Sequence, residues 1–291
     1  MAIRTIESGD IKAVLLYGEG TSLSVLSDGS FSYDCIVTSP PYWGLRNYCD
    51  NEEQTGYQQT LPEYIEDLVQ TFREARRHLS DRGTLWLNLG DSYANRSPNR
   101  NRANPSHNVE GRPIPEGFPW RVAFALQADG WYLRNDIIWA KPNPMPSSAK
   151  DRCTVSHEYI FLFAKKKFYH FDADAIKTPL APSTRLDGRL NKKYDKPRER
   201  YGGEASCPSG FAGANISGAN ARTVWHLKPN CFLGEHFAVF PEELPEKCIL
   251  AGCPPGGTVL DPFSGSGTTG KMAMKLGRSY LGIDINEDYI E

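Results

Sequence analysis

Asp261-Pro-Phe-Ser-Gly-Ser-Gly-Thr-Thr-Gly270 decides the fold, because this stretch joins a short apolar segment to a helical one through a glycine-rich turn. Its glycines match the spacing G-x-G-x-x-G, which lets the backbone come close to a nucleoside ligand. Asp284 ends the next apolar segment, at the distance expected of an acid that binds ribose hydroxyls. The pattern predicts a strand, a loop and a helix that hold a nucleoside cofactor. An ordinary glycine-rich turn is the alternative interpretation.

The place of this loop in the chain narrows the choice of cofactor. Only about twenty residues follow it, so we expect an earlier strand, Ala13–Tyr17, to complete the cofactor half of a permuted sheet. Glu19 would then lie beside Asp284 at the carboxyl edge, where ligands bind in open α/β sheets. The leading Asp261-Pro262 places a carboxylate where a cationic ligand fits better than a pyrophosphate. The predicted cofactor is therefore S-adenosylmethionine, which carries a sulfonium and an amino group and no phosphate.

Alternating strands and helices predict an α/β fold with a mostly parallel sheet. Further strands are predicted at residues 33–38, 83–89, 131–140, 258–261 and 280–284, and helices at 61–79, at 120–127, from 241 and at 269–276. Residues 159–164 and 168–171 are expected to form a hairpin, and residues 92–117 a mobile polar loop. Residues 172–222 lack this rhythm. We therefore expect an insertion at 172–222 between two halves of one domain, 1–171 and 223–291.

A second motif, Ser39-Pro40-Pro41-Tyr42, follows the strand at 33–38 and is expected at the same sheet edge. The exocyclic amine of a base is a poor nucleophile because its lone pair is delocalised into the ring. A serine hydroxyl and a backbone carbonyl held by proline can accept both amine hydrogens and direct the lone pair at a methyl donor. Tyr42 can stack on a base flipped out of the duplex, which is worth roughly 1–3 kcal/mol. A tight structural turn is the competing interpretation.

Together the two motifs resemble the DNA amino-methyltransferases of the permuted beta arrangement, in which the catalytic motif precedes the cofactor motif. Thr38–Trp43 resembles the family's catalytic motif and Asp261–Thr269 its cofactor loop. Leu16-Tyr-Gly-Glu19 resembles the segment that reaches the cofactor adenine, and His236–Pro241 the one that packs on the cofactor. The resemblance implies a Rossmann-like, S-adenosylmethionine-dependent methyltransferase fold. The cofactor-binding residues that we predict are Glu19, His236, Phe237, Asp261, Pro262, Phe263, Gly265, Gly267, Thr268, Thr269 and Asp284.

Residues 172–222 stand where the resembling family has its target-recognition region. Positive charge is in excess from Arg185 to Arg200, as in a segment that contacts DNA phosphates. A solvated loop is the alternative, since charge runs usually mean exposure. The predicted DNA-binding residues are Arg185, Arg189, Lys192, Lys193, Arg198 and Arg200.

The resemblance implies a site-specific methyltransferase that acts on double-stranded DNA by base flipping and direct transfer. It also implies a restriction-modification setting, in which a cognate restriction endonuclease is an optional partner. Within the family, Ser before Pro-Pro-Tyr is more frequent among cytosine-N4 enzymes and Asp among adenine-N6 enzymes. Ser39 therefore favours N4 of cytosine, with N6 of adenine as the alternative. A DNA-binding module without catalysis is the alternative from a different class.

Composition excludes or disfavours other classes. Seven scattered cysteines include no C-x-x-C pair, so neither a disulfide framework nor a metal site is expected. The absence of a Pro-Cys dipeptide counts against a ring-carbon cytosine methyltransferase, and the absence of H-x-E with C-x-x-C against a zinc deaminase. The permuted order and Asp261-Pro262 count against a nicotinamide oxidoreductase. His157-Glu158 lacks the second histidine of H-E-x-x-H and is interpreted as a structural pair. Without a membrane-length apolar run or a signal-peptide core, a cytoplasmic location is expected.

Overall fold

The computed structural model describes residues 3–17, 31–43, 55, 60–91, 117–144, 146–148, 150–179, 218–229 and 240–285. The loop predicted at 92–117 lies outside these ranges, apart from its last residue. The chain divides into two compact units. One comprises Met1–Asp172 together with Arg222–Glu291, and the other Ala173–Ala221. In the second unit the described residues include an antiparallel bridge between Thr178 and Ala219. The elements described below belong to the first unit.

The described strands form one nine-stranded sheet in the order β1-β2-β9-β8-β3-β4-β6-β5-β7. The strands are β1 Ile3–Ser8, β2 Ile11–Tyr17, β3 Tyr33–Thr38, β4 Leu79–Leu89, β5 Tyr132–Ala140, β6 His157–Ala164, β7 Val224–His226, β8 Thr258–Asp261 and β9 Ser279–Asp284. Neighbouring strands are parallel except at β1–β2, β4–β6 and β5–β6. The predicted α/β fold with a mostly parallel sheet is confirmed.

The described helices are α1 Leu61–His78, α2 Phe118–Ala128, α3 Glu243–Gly252 and α4 Thr268–Lys275. Helix α1 begins with a capping box, in which the Thr60 hydroxyl accepts from the Glu63 amide and the Glu63 carboxylate accepts from the Thr60 amide. These bonds satisfy two amides that the helix itself leaves unpaired. None of the described helices is both long enough and apolar enough to cross a membrane.

Side chains of β4 alternate between two layers, since successive residues of a strand point to opposite faces. Leu85 and Leu87 belong to the apolar core that also contains Phe72 of α1. Trp86 faces the other way, against α3, where a Cβ added at Gly252 would lie 2.2 Å from its indole nitrogen. Gly252 therefore lets α3 pack directly on the indole, and helices cover both faces of the sheet.

The predicted hairpin between residues 159–164 and 168–171 is wrong. Strand β6 contains residues 159–164, but it pairs with β4 on one side and β5 on the other. Both of its hydrogen-bonding edges are therefore occupied, and residues 168–171 do not form a strand. Strand β1 was not predicted, and its described side chains from Arg4 to Ser8 are exposed at the sheet edge.

The order of the strands creates a switch point between β8 and β3. Strand β8 continues through α4 to β9 on one side, whereas β3 continues through α1 to β4 on the other. Open α/β sheets bind ligands in the crevice that such a reversal leaves at the carboxyl ends of the strands. The glycine-rich loop follows β8 and the Ser-Pro-Pro-Tyr motif follows β3, so both motifs start at this crevice.

Candidate active site

A buried hydrogen bond joins the ends of the two motif-bearing strands. The hydroxyl of Thr38, the last residue of β3, donates to Oδ1 of Asp261, the last residue of β8, at 2.6 Å. The two residues are 223 positions apart in the chain. The Ser-Pro-Pro-Tyr motif and the glycine-rich loop are therefore held side by side.

Asp261 lies inside the protein, with 1% of its surface exposed. Besides Thr38, its carboxylate accepts from the hydroxyl of Thr269 at 2.7 Å and from the amide of Phe263 at 3.1 Å. Burial raises the pKa of Asp261 to about 6, against the opposing effect of these three donors. Both carboxylate oxygens thus have partners within the protein. A direct contact of Asp261 with a cofactor stays a prediction.

Two glycines of the loop have left-handed backbone conformations, with φ of +50° at Gly265 and +74° at Gly267. A Cβ added at either position would meet no atom within 4 Å, so the conformation rather than crowding favours glycine there. Gly270 differs, because its Cβ would lie 2.6 Å from the ring of Tyr280. The third glycine of the pattern therefore serves helix packing, and the first two shape the loop.

Asp284 fixes the loop from the next strand. Its carboxylate accepts from the amide of Gly265 at 2.6 Å. Backbone pairing places Tyr17 of β2 opposite Asp284 of β9. The carboxyl ends of β2, β9 and β8 therefore meet at one edge, as the permuted order predicted.

Of the other predicted cofactor residues, the structure describes Pro262, Phe263 and Thr268. Pro262 is buried, and Phe263 packs edge-on against Phe72 at 6.5 Å between ring centroids. Thr268 is half-buried at the start of α4. Glu19, His236 and Phe237 lie outside the described residues.

The Ser-Pro-Pro-Tyr motif is anchored at its third and fourth residues. The hydroxyl of Tyr64 in α1 donates to the Pro41 carbonyl at 2.9 Å. The hydroxyl of Tyr42 donates to Glu158 at 2.7 Å. Ser39 is half-buried and Pro40 is buried. The Pro41 carbonyl and the Tyr42 hydroxyl therefore have partners within the protein.

Sequence reasoning did not place four side chains that surround this motif: Tyr64, Asn88, Lys141 and Glu158. They come from α1, β4, the residue after β5, and β6. Only Glu158 carried a usable signal, the His157-Glu158 pair, which we interpreted as structural. Their convergence follows from strand order, which local sequence patterns do not encode.

The six predicted DNA-binding residues, from Arg185 to Arg200, lie outside the described residues. Within the described ranges, no group of three or more His, Cys, Asp or Glu side chains is arranged to hold a metal ion.

Comparisons with known proteins match most of this chain. The sequence profile described as DNA methylase matches residues 33–291. The Type II methyltransferase M.SmaI of Serratia marcescens is 46% identical over 271 residues, which cover 88% of this chain and 81% of that protein. The solved PvuII DNA methyltransferase (cytosine-N4-specific) superposes with a TM-score of 0.62 at 19% identity, covering 96% of this chain and 83% of that one. The M1.HpyAVI-SAM complex superposes with a TM-score of 0.55 at 19% identity, covering 94% of each chain.

Proposed function

The chain belongs to the DNA methylase family, and on that premise we propose that it transfers a methyl group from S-adenosylmethionine to N4 of cytosine in double-stranded DNA. The observation that carries this proposal is the Thr38–Asp261 bond, which sets the Ser-Pro-Pro-Tyr motif beside the glycine-rich loop. A methyl donor in the loop would then face a base held by the motif. Adenine N6 is the alternative target.

The cofactor would occupy the carboxyl ends of β8 and β9. The left-handed turns at Gly265 and Gly267 leave room for close backbone approach, and Asp284 is placed for ribose hydroxyls. Glu19, His236 and Phe237 are proposed to complete the site. The M1.HpyAVI-SAM complex has the same fold, which supports this choice of cofactor. When bound, the cofactor supplies an electrophilic methyl group on a sulfonium.

The motif would activate the target amine by accepting its two hydrogens. The Ser39 hydroxyl accepts one and the Pro40 carbonyl the other, because the Pro41 carbonyl already accepts from Tyr64. This pairing draws the nitrogen lone pair out of conjugation and directs it at the methyl carbon. The motif would thus hold the amine toward the methyl group that the cofactor would supply, and the methylated nitrogen would give up one proton to water. The transfer is direct, without a covalent bond between protein and DNA.

Tyr42 would support the base after it leaves the duplex. Phe118 packs edge-on against its ring, with the centroids 6.3 Å apart, and Glu158 holds its hydroxyl. A ring fixed in this way offers a flat surface on which a flipped base can stack, at a gain of roughly 1–3 kcal/mol. Base flipping is proposed because a target amine inside a duplex is out of reach.

Target recognition is proposed for residues 172–222. The separate unit Ala173–Ala221 supports this role, because an insertion can vary without disturbing the sheet. Its basic run is proposed to contact phosphates. The likeness to M.SmaI, named a Type II methyltransferase, supports a role in site-specific modification beside a restriction endonuclease.

Mass spectrometry of nucleosides from DNA treated with the protein tests the proposal. N4-methylcytosine is the expected product, and Ser39→Ala is expected to reduce its rate of formation by about 10²–10³-fold. N6-methyladenine would refute the choice of base. DNA binding without cofactor binding, measured by calorimetric titration, would instead support the non-catalytic module.

A further inference from the structure

The two halves of the sheet meet along the seam between β3 and β8. Backbone pairing at this seam joins Cys35 to Val259 and Ile36 to Leu260. It stops two residues before the end of β3, and the chain then continues from β3 and from β8 to opposite sides of the sheet. The backbone ladder of the seam therefore does not reach the rim of the crevice, where both motifs begin.

Each motif is nevertheless fixed to its own half of the sheet. Strand β3 pairs with β4 as far as Thr38 and Leu87, and β8 pairs with β9 as far as Asp261 and Gly282. The position of each motif within its half is thus set by backbone pairing. The distance between the two motifs depends instead on side chains that cross the seam at the rim.

Asp261 makes this crossing. Its carboxylate accepts from the hydroxyl of Thr38 on β3 at 2.6 Å and from that of Thr269 on α4 at 2.7 Å. All three side chains are buried. At neutral pH the carboxylate is ionised and can only accept, so both hydroxyls direct their hydrogens at it, and bonds to an ionised acceptor are roughly twice as strong as neutral ones. A chain of two strong bonds therefore links the end of β3 to the start of α4.

The length of this link matters for the reaction. Direct transfer needs the target amine and the methyl carbon roughly 3–3.5 Å apart and in line, and a displacement of about 1 Å can cost on the order of 100-fold in rate. The amine would be held by the motif after β3 and the methyl donor by the loop after β8. An error in the spacing across the seam would pass directly into the distance between the reacting atoms.

We propose that Thr38 is a positioning residue that acts through Asp261 to set the spacing between the Ser-Pro-Pro-Tyr motif and the glycine-rich loop, and so aligns the target amine with the methyl group. This inference rests on the proposed function. The hydroxyl of Thr38 is the group that the role requires, because it makes the bond across the seam.

Single-turnover methyl transfer from labelled S-adenosylmethionine tests the inference, with DNA free of amino-methylated bases as substrate. Thr38→Val keeps the shape of the side chain and removes its hydroxyl. We expect its rate at saturating cofactor and DNA to fall by about 10–100-fold. Its affinities for cofactor and for DNA, measured by calorimetric titration, should stay within about threefold of wild type, because each motif keeps its place in its own half.

Two further variants separate alignment from general stability. Thr38→Ser keeps the hydroxyl and should transfer within about threefold of the wild-type rate. Thr84→Val is the matched control, because it removes an equally buried hydroxyl that donates to the Gly252 carbonyl rather than across the seam. It should transfer at the wild-type rate.

The inference is overturned by a wild-type rate for Thr38→Val, by an equal loss in Thr38→Ser or Thr84→Val, or by a rate loss that saturating cofactor restores. If melting curves show that Thr38→Val does not fold, Thr38→Ala replaces it, since it also lacks the hydroxyl, and the comparison with Thr38→Ser is again decisive. A wild-type chain that methylates no nucleoside overturns the proposed function as well. An active wild type with any of the first outcomes overturns this inference alone.

Discussion

Replacing Asp261 with asparagine should change how the stability of the protein depends on pH. The carboxylate is buried and accepts three hydrogen bonds, yet burial outweighs them and raises its pKa from 3.8 to about 6. A carboxyl group whose pKa is raised by folding favours the folded state most below its unfolded pKa, where it is protonated in both states. This contribution to the free energy of unfolding is lost as pH rises through the folded pKa, because the folded state disfavours the ionised carboxylate. A shift of about two pKa units corresponds to about 3 kcal/mol. The asparagine side chain of the variant is neutral at every pH and resembles the protonated acid.

The assay is urea unfolding of wild type and Asp261→Asn between pH 4 and pH 8, without cofactor. The free energy of unfolding of wild type minus that of the variant should fall by about 2.5 kcal/mol over this range, because a small part of the full value of about 3 kcal/mol is already lost at pH 4. Most of the change should lie between pH 4 and pH 7. Other titrating groups cancel in the difference. A difference that rises with pH would refute the reasoning, because it would mean that the three donors outweigh burial.

A second pair of variants identifies the donors. Thr38→Val removes a hydroxyl that lowers the pKa of Asp261. When Asp261→Asn is compared with its parent in the Thr38→Val background, the fall in the stability difference should therefore extend to higher pH. Thr84→Val is the matched control, because the Thr84 hydroxyl is equally buried but donates to the Gly252 carbonyl at 3.1 Å. It should leave the position of the decline unchanged.

Three further predictions concern the loop, the insertion and the first helix. Gly270→Ala should lower stability by about 1–3 kcal/mol through overpacking, and Gly267→Ala should lower it by about 1 kcal/mol because its backbone is left-handed. Only Gly267→Ala should also weaken S-adenosylmethionine binding in a calorimetric titration, and normal binding by this variant would contradict its role. Changing Lys192 and Lys193 to Gln should flatten the plot of log DNA affinity against log salt by about 0.9 for every phosphate that the protein no longer neutralises; an unchanged slope would make the basic run a solvated loop. Thr60→Ala should cost about 1 kcal/mol in urea unfolding because it removes the capping box, and an unchanged midpoint would contradict that estimate.

Much of the fold could be predicted where a buried strand is bounded by turn residues. Tyr33–Thr38 and Thr258–Asp261 match the structure at both ends, because each is a short run with apolar residues at its centre that ends within two residues of a proline. Strand β1 was missed because its exposed side chains show no apolar face. The hairpin after residue 159 was wrong because neighbouring apolar segments do not reveal which strands take the middle of a sheet.

The two motifs of the candidate site could be predicted from the sequence, but the contacts that bring them together could not. Glycine spacing and the Ser-Pro-Pro-Tyr run identify backbone geometry and reactive groups locally. The bond from Thr38 to Asp261 spans 223 residues and that from Tyr42 to Glu158 spans 116. Such contacts depend on the strand order. The sequence pattern therefore predicts that Asp261 contacts a ligand, but it does not reveal the partners of Asp261 within the protein.

The place of β8 and β9 in the sheet has a consequence for synthesis on the ribosome. These strands come from residues 258–284, yet they lie between β2 and β3, which are made more than 200 residues earlier. Until they emerge, β2 and β3 each keep an unpaired edge, and such edges are templates for aggregation. A nascent chain therefore keeps both halves of its sheet open until β8 and β9 have been synthesised.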